Sequence, residues 1–111
     1  MKHIPDSIKG LFTAKFKTYF KKFRKFNALQ EIDKKMLKYI NYRNGYYIEC
    51  GANDGVNQSN TWYYEKCLDW KGILIEPIPK IFKELKKNRS NKNVFVDRCL
   101  VGKDFKEKSI E

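Results

Sequence analysis

YYIECGANDGVNQSN, residues 46 to 60, is where the periodicity of the chain changes. The β-rich run Tyr46–Cys50 stops at Gly51 in an acidic loop that closes at Gly55, and helical spacing resumes beyond it. Two further β-rich runs follow, GILIE at 72–76 and VFVDRCLV at 94–101, each bounded by turn residues. Between the first two runs, Tyr63, Cys67 and Trp70 fall on one helical face. Between the second and third, Pro79 suits a first helical turn, with Ile78, Phe82 and Leu85 at i, i+4, i+7. The order β-α-β-α-β predicts parallel neighbouring strands joined by right-handed crossovers. The expected fold is α/β: part of a doubly wound, Rossmann-like parallel sheet preceded by two helices.

Those two helices belong to a basic N-terminal segment, residues 1–44, ahead of an α/β body at 45–111. Residues 6–26 space Phe12, Phe16, Tyr19, Phe20, Phe23 and Phe26 along one helical face, with lysines and Arg24 on the rest. Such a helix either packs its aromatics on the body or docks on an anionic membrane surface or a nucleic acid. A second helix is expected from Asn27, an N-cap with Gln30 three residues on, through Leu29, Ile32, Met36, Tyr39 and Ile40, to a stop at Asn44 and Gly45.

The formal charge is +11 over 111 residues, but residues 1–44 hold 12 Lys/Arg against 3 Asp/Glu, while residues 45–111 hold 12 against 10. The body is therefore nearly balanced and has no general demand for a polyanion. An apolar content of 41% with 15% aromatics excludes disorder along the whole length. Cys50, Cys67 and Cys99 lack the close pairs of a zinc site, so no metal is expected, and they read as reduced, buried thiols of a cytoplasmic protein. No run approaches the roughly 20 apolar residues of a membrane span. Lysines interrupt any secretory h-region near the N-terminus.

In a doubly wound sheet, ligands bind beyond the carboxyl ends of the strands, which is where the loop Gly51, Ala52, Asn53, Asp54, Gly55 emerges. Gly51 and Gly55 allow a tight turn and a close approach of backbone to ligand, and a following helix N-terminus favours a carboxylate or phosphate. The Rossmann fingerprint G-x-G-x-x-G is not met, because Asn53 stands where the middle glycine belongs, and no G-K-[ST] follows for a P-loop. A nucleotide-binding oxidoreductase is thereby disfavoured. Glu49 and Asp54 would repel a pyrophosphate at short range. They suit S-adenosylmethionine, whose ammonium and sulfonium accompany a carboxylate. Glu76, held extended by Pro77, places a carboxylate at the end of the second strand, where a ribose diol can donate two hydrogen bonds. Singly, Glu49 reads as a partner for a lysine, Asp54 as a turn residue and Glu76 as a solvated strand end. Their order on one β-α-β frame points to a common cofactor. Ser59, Asn60 and Thr61 read as helix caps, and Trp62, Tyr63, Tyr64 and Trp70 as core.

Residues 44–89, NGYYIECGANDGVNQSNTWYYEKCLDWKGILIEPIPKIFKELKKNR, resemble the FkbM-type methyltransferases, a branch of the class I S-adenosylmethionine-dependent enzymes. The likeness extends over about Gln30 to Val101 and rests on GANDG, on SNT at 59–61, on WKGILIEP at 70–77, and on Asn88 and Arg89. It implies methyl transfer to a hydroxyl oxygen of a small-molecule or glycan acceptor: a sugar, a glycolipid or a polyketide-type natural product. It also implies that Glu49, Gly51, Ala52, Asn53, Asp54, Gly55, Glu76 and Pro77 bind S-adenosyl-L-methionine, with Glu76 on the ribose. Many such enzymes carry an acid facing the adenine at the end of the third strand. Here that place is expected at Cys99 and Leu100, with no carboxylate, and Asp97 is expected to be structural.

Three strands are fewer than a complete domain of that class holds, so the expectation is an N-terminal, cofactor-binding half. It has no assigned catalytic residue, no turnover alone, and an unpaired apolar edge on its first strand. The rival reading is a basic adaptor that uses residues 6–26 on a membrane or nucleic acid, with a vestigial α/β body. No specific nucleic acid is expected for the first reading, and a cytoplasmic location, peripheral to a membrane, fits both.

Overall fold

The computed structural model describes residues 26–106. Three strands, β1 (Tyr46–Cys50), β2 (Lys71–Ile75) and β3 (Val94–Val96), form one parallel sheet in the order β1-β2-β3. A 3-10 turn (Leu29–Glu31) leads into α1 (Ile32–Met36), α2 (Trp62–Leu68) joins β1 to β2, and α3 (Pro79–Asn88) joins β2 to β3. The described chain is thus α/β with a three-stranded parallel sheet and three α-helices. The expected helix over residues 6–26 lies outside the described residues, apart from Phe26, whose ring stacks on Tyr63 at 4.7 Å between centroids.

Register fixes what each face of the sheet carries. Ile48 pairs with Ile73, and Ile73 with Val94, so these three share one face; Glu49, Leu74 and Phe95 share the other. The core forms on the second face, where Tyr47 and Leu74 meet Tyr63 and Tyr64 of α2, Leu85 of α3, and Trp70. Leu74 and Leu85 are fully buried, each stabilising by about 1.5–3 kcal/mol relative to exposure. The aromatic members keep their polar tips satisfied: the Tyr64 hydroxyl donates to the Asp33 carbonyl at 2.8 Å, and the Trp70 indole N–H to the Tyr42 carbonyl at 2.7 Å. On the opposite face, Tyr46, Ile48 and Val94 are 56%, 64% and 53% exposed.

The second expected helix is much shorter than its apolar spacing suggests. Gln30 and Glu31 have φ of 52° and 54°, in the left-handed region, which breaks the helix on its N-terminal side. The cause is Asp33: its buried carboxylate accepts the amides of Asn27 at 2.9 Å, Ala28 at 3.2 Å and Lys34 at 2.9 Å, so the chain wraps around it. Asn27 does not cap through its side chain, whose amide is buried without a hydrogen-bond partner. Leu29, Ile32, Met36 and Tyr39, which the spacing places along one helix, are exposed, whereas Leu37 and Ile40 pack against the core.

Other local expectations are also corrected. All three cysteines are exposed rather than buried. In α2, Tyr63, Tyr64 and Glu65 are the buried residues, and Cys67 is not on that face. The third strand ends at Val96 instead of Val101. The last bond of the ladder is from the Glu76 amide to the Val96 carbonyl at 3.0 Å. Beyond it the Ile78 amide turns to Glu76 Oε1 at 3.1 Å.

Candidate functional site

The loop after β1 continues the ladder for one bond, Ala52 N–H to the Ile75 carbonyl at 2.8 Å, and then turns away from the sheet. Gly51, Asn53 and Gly55 have φ of 66°, 54° and 82°. Three alternate residues are therefore left-handed, with Asn53 in the middle because a short amide side chain tolerates that conformation. The two glycines serve different ends. A Cβ on Gly51 would meet nothing within 4 Å, so the loop has open space there. A Cβ on Gly55 would sit 2.6 Å from Arg89 Cγ and 2.8 Å from Leu85 Cδ1, so this glycine admits α3 rather than a ligand. Ala52 is buried in the core, and Pro77 is exposed at the rim.

Each expected carboxylate is engaged by groups of the chain itself. Asp54 Oδ1 accepts the amides of Val56 at 2.9 Å and Asn57 at 2.8 Å, its Oδ2 accepts the Asn57 side-chain amide, and its carbonyl is held by Asn88 Nδ2 at 2.8 Å. Asp54 is thus the turn residue that shapes the loop. Glu76, 6% exposed, accepts the Asn53 amide on Oε2 at 2.9 Å and the Ile78 amide on Oε1. It joins the end of β2 directly to the loop. Glu49, also buried, accepts the Asn60 amide at 3.0 Å and the hydroxyls of Thr61 and Ser59.

Ser59 Oγ in turn accepts the amides of Thr61 at 3.3 Å and Trp62 at 3.1 Å and so serves the start of α2, whereas Thr61, at the N-cap position, makes no side-chain cap bond and donates its hydroxyl to Glu49. The helix terminus expected to receive a ligand anion is therefore filled by the chain's own Glu49 and Ser59. The structure brings Glu76 and the 51–55 loop together, while Glu49 faces α2 and Arg89.

Arg89 organises what lies behind the loop. Its side chain has no solvent exposure, and its Nε donates to Glu65 Oε1 at 3.0 Å. Nη1 donates to the Gly55 carbonyl and to Ser59 Oγ, both at 3.2 Å, and Nη2 to the Tyr47 hydroxyl at 2.8 Å and Thr61 Oγ1 at 3.0 Å. Glu49 Oε2 lies 3.7 Å from Nη1. Burial raises the cost of charge on Glu65, but Arg89, the Asn93 side-chain amide, the Ser90 amide and the Tyr47 hydroxyl outweigh it and hold its carboxyl below the usual range. Burial pushes the Tyr47 hydroxyl well above its ordinary pKa, with Glu65 adding to the rise against the pull of Arg89.

Asn88 and Arg89 were singled out in the sequence without a role; Glu65 and Asn93 were not singled out at all. No periodic signal marks them, since their partners are distant in the chain. Asp97 was expected to be structural. Because β3 ends at Val96, an acid does stand immediately beyond the third strand, exposed and ion-paired with its neighbour Arg98. Ile75 and Val96 are register partners, so Glu76 and Asp97 leave the sheet side by side.

Among the described residues, no group of three His, Cys, Asp or Glu side chains is gathered to hold a metal, and no helix is long and apolar enough to cross a membrane. No family model, no curated protein and no solved structure matches the chain.

Proposed function

We propose that Gly51 to Gly55 and Glu76 bind S-adenosyl-L-methionine, and that the chain carries the cofactor-binding part of a methyltransferase of the FkbM type, acting on a hydroxyl of a small-molecule or glycan acceptor. The observation that carries this reading is the open space at Gly51 beside a loop whose Asn53 amide is bound to Glu76. An ionised carboxylate offers about four lone-pair sites. Backbone amides take two at Glu76, which leaves capacity on both oxygens for a ribose diol. When bound, the cofactor supplies an electrophilic methyl group.

The chain's own contribution is to orient. Glu49 and Arg89 hold the wall behind the loop, Asp54 sets its turn, and the open space at Gly51 is left for the ligand. Asp97, next to Glu76 at the rim, is placed to meet the adenine end. On this reading the sheet is part of a doubly wound, Rossmann-like domain, and the free edge and open face of β1 are where further strands and helices pack.

Titration of the full 111-residue chain with S-adenosylhomocysteine, followed by amide NMR, tests the proposal. Gly51, Asn53 and Gly55 amides shift with this ligand and not with NAD. Glu76→Gln keeps the side-chain shape but loses charge and one acceptor, and weakens binding about tenfold. Absence of these shifts, or an affinity untouched by Glu76→Gln, refutes the assignment.

A further inference from the structure

We propose that the surface around α1 is a docking face for an anionic phospholipid bilayer. Within a short segment Leu29, Ile32, Met36 and Tyr39 are 57%, 44%, 40% and 72% exposed, an unusual density of large apolar side chains on a surface. Ile32 and Met36 stand one helical turn apart on α1 and also line a pocket of about 240 Å³ together with Ile40, Tyr47, Tyr64 and Trp70, so the apolar surface continues inward.

The charges between these residues are one-sided. Lys34, Lys35 and Lys38 are exposed, against one exposed acid, Glu31, which pairs with Lys34 at 3.8 Å. The other acid of the segment, Asp33, is 1% exposed and turned inward onto backbone amides. Upstream residues continue the same sign, giving 12 Lys/Arg against 3 Asp/Glu over residues 1–44. The complementary surface is negative and apolar beneath.

An anionic bilayer has that composition. Leu, Ile and Met enter the boundary between headgroups and acyl chains, Tyr sits at headgroup level, and lysines reach the phosphates with their stems lying along the apolar surface. A nucleic acid fits less well, since the aliphatic side chains at the centre of the patch offer no hydrogen bond to phosphate or base edge. The proposal makes no use of the loop after β1 and stands apart from the cofactor reading.

The test is co-flotation of the full chain with vesicles of phosphatidylcholine alone or with roughly a third phosphatidylglycerol, at low and high salt. Binding is expected only to the anionic vesicles and falls steeply with salt. Ile32→Ser with Met36→Ser, and separately Lys35→Glu with Lys38→Glu, each lower the partition coefficient about tenfold or more. Ile48→Ser, on the open face of the sheet, leaves it unchanged. Circular dichroism checks the fold of each variant; should the serine pair disturb it, the charge-reversal pair, which removes no apolar contact, carries the test. Partitioning that ignores both α1 pairs, equal binding to neutral vesicles, or binding to single-stranded DNA in place of vesicles overturns the proposal.

Discussion

Arg89 shows how one side chain links segments distant in sequence. Five N–H groups of a guanidinium, fixed in a planar fork, find five acceptors on Tyr47, Gly55, Ser59, Thr61 and Glu65. Removing it leaves Glu49 buried without a countercharge and Glu65 with the partly exposed Lys66 alone, at 3.1 Å, a change that costs about 3–5 kcal/mol in comparable buried pairs. Arg89→Met is therefore expected to lower the unfolding free energy from urea denaturation of the full chain by that amount, and Arg89→Lys to recover little, because an ammonium cannot reproduce the fork. Glu65 gives the matching pH dependence. Its folded pKa lies below the ordinary 4.5, so its contribution to stability is complete above that pH and is lost as pH falls through the folded value. Unfolding free energies measured downward from about pH 6 are expected to fall on the acid side, and Glu65→Gln to flatten that slope. Identical acid limbs in the two proteins would remove Glu65 from this role.

At the scale of elements, the two glycines that bound the loop are separable by experiment. Gly55→Ala combines a left-handed backbone with a clash on Arg89 and Leu85, and is expected to cost about 3 kcal/mol, whereas Gly51→Ala carries only the conformational term of about 1–2 kcal/mol. Urea denaturation of both variants distinguishes them, and equal losses would contradict the packing role of Gly55. The strands, their parallel order and the position of this loop were legible in the sequence, because a switch from period 2 to helical period is a local signal. So were Pro79 at the start of α3 and the capping by Ser59. The lengths of elements were not, because they are decided by distant or buried groups. Asp33 reaches back to Asn27 and Ala28 and breaks a helix that spacing alone would extend, and the Glu76 carboxylate draws the chain beyond β2 onto itself through the Ile78 amide. The engagement of Glu49 was hidden for the same reason: its partners are Ser59, Asn60, Thr61 and Arg89, gathered only when α2 and α3 pack.

For the molecule as a whole, the unusual property is that, among the described residues, a parallel sheet is covered on one face. Parallel sheets are normally buried on both, and here Tyr46, Ile48 and Val94 remain more than half exposed beside a β1 edge that no described strand pairs. The chain is expected to self-associate through that surface, and Ile48→Lys to suppress association in sedimentation velocity while changing stability by no more than about 0.5 kcal/mol. Association that persists in this variant would place the contact elsewhere. The position of Arg89 has a temporal consequence as well. During ribosomal synthesis residues 47 to 65 emerge well before their shared donor, so Tyr47, the Gly55 carbonyl and Glu65 lack it until translation has passed α3. A nascent polypeptide halted short of that point would expose Glu49 and Glu65 together, and proteases would cut it where the finished molecule resists.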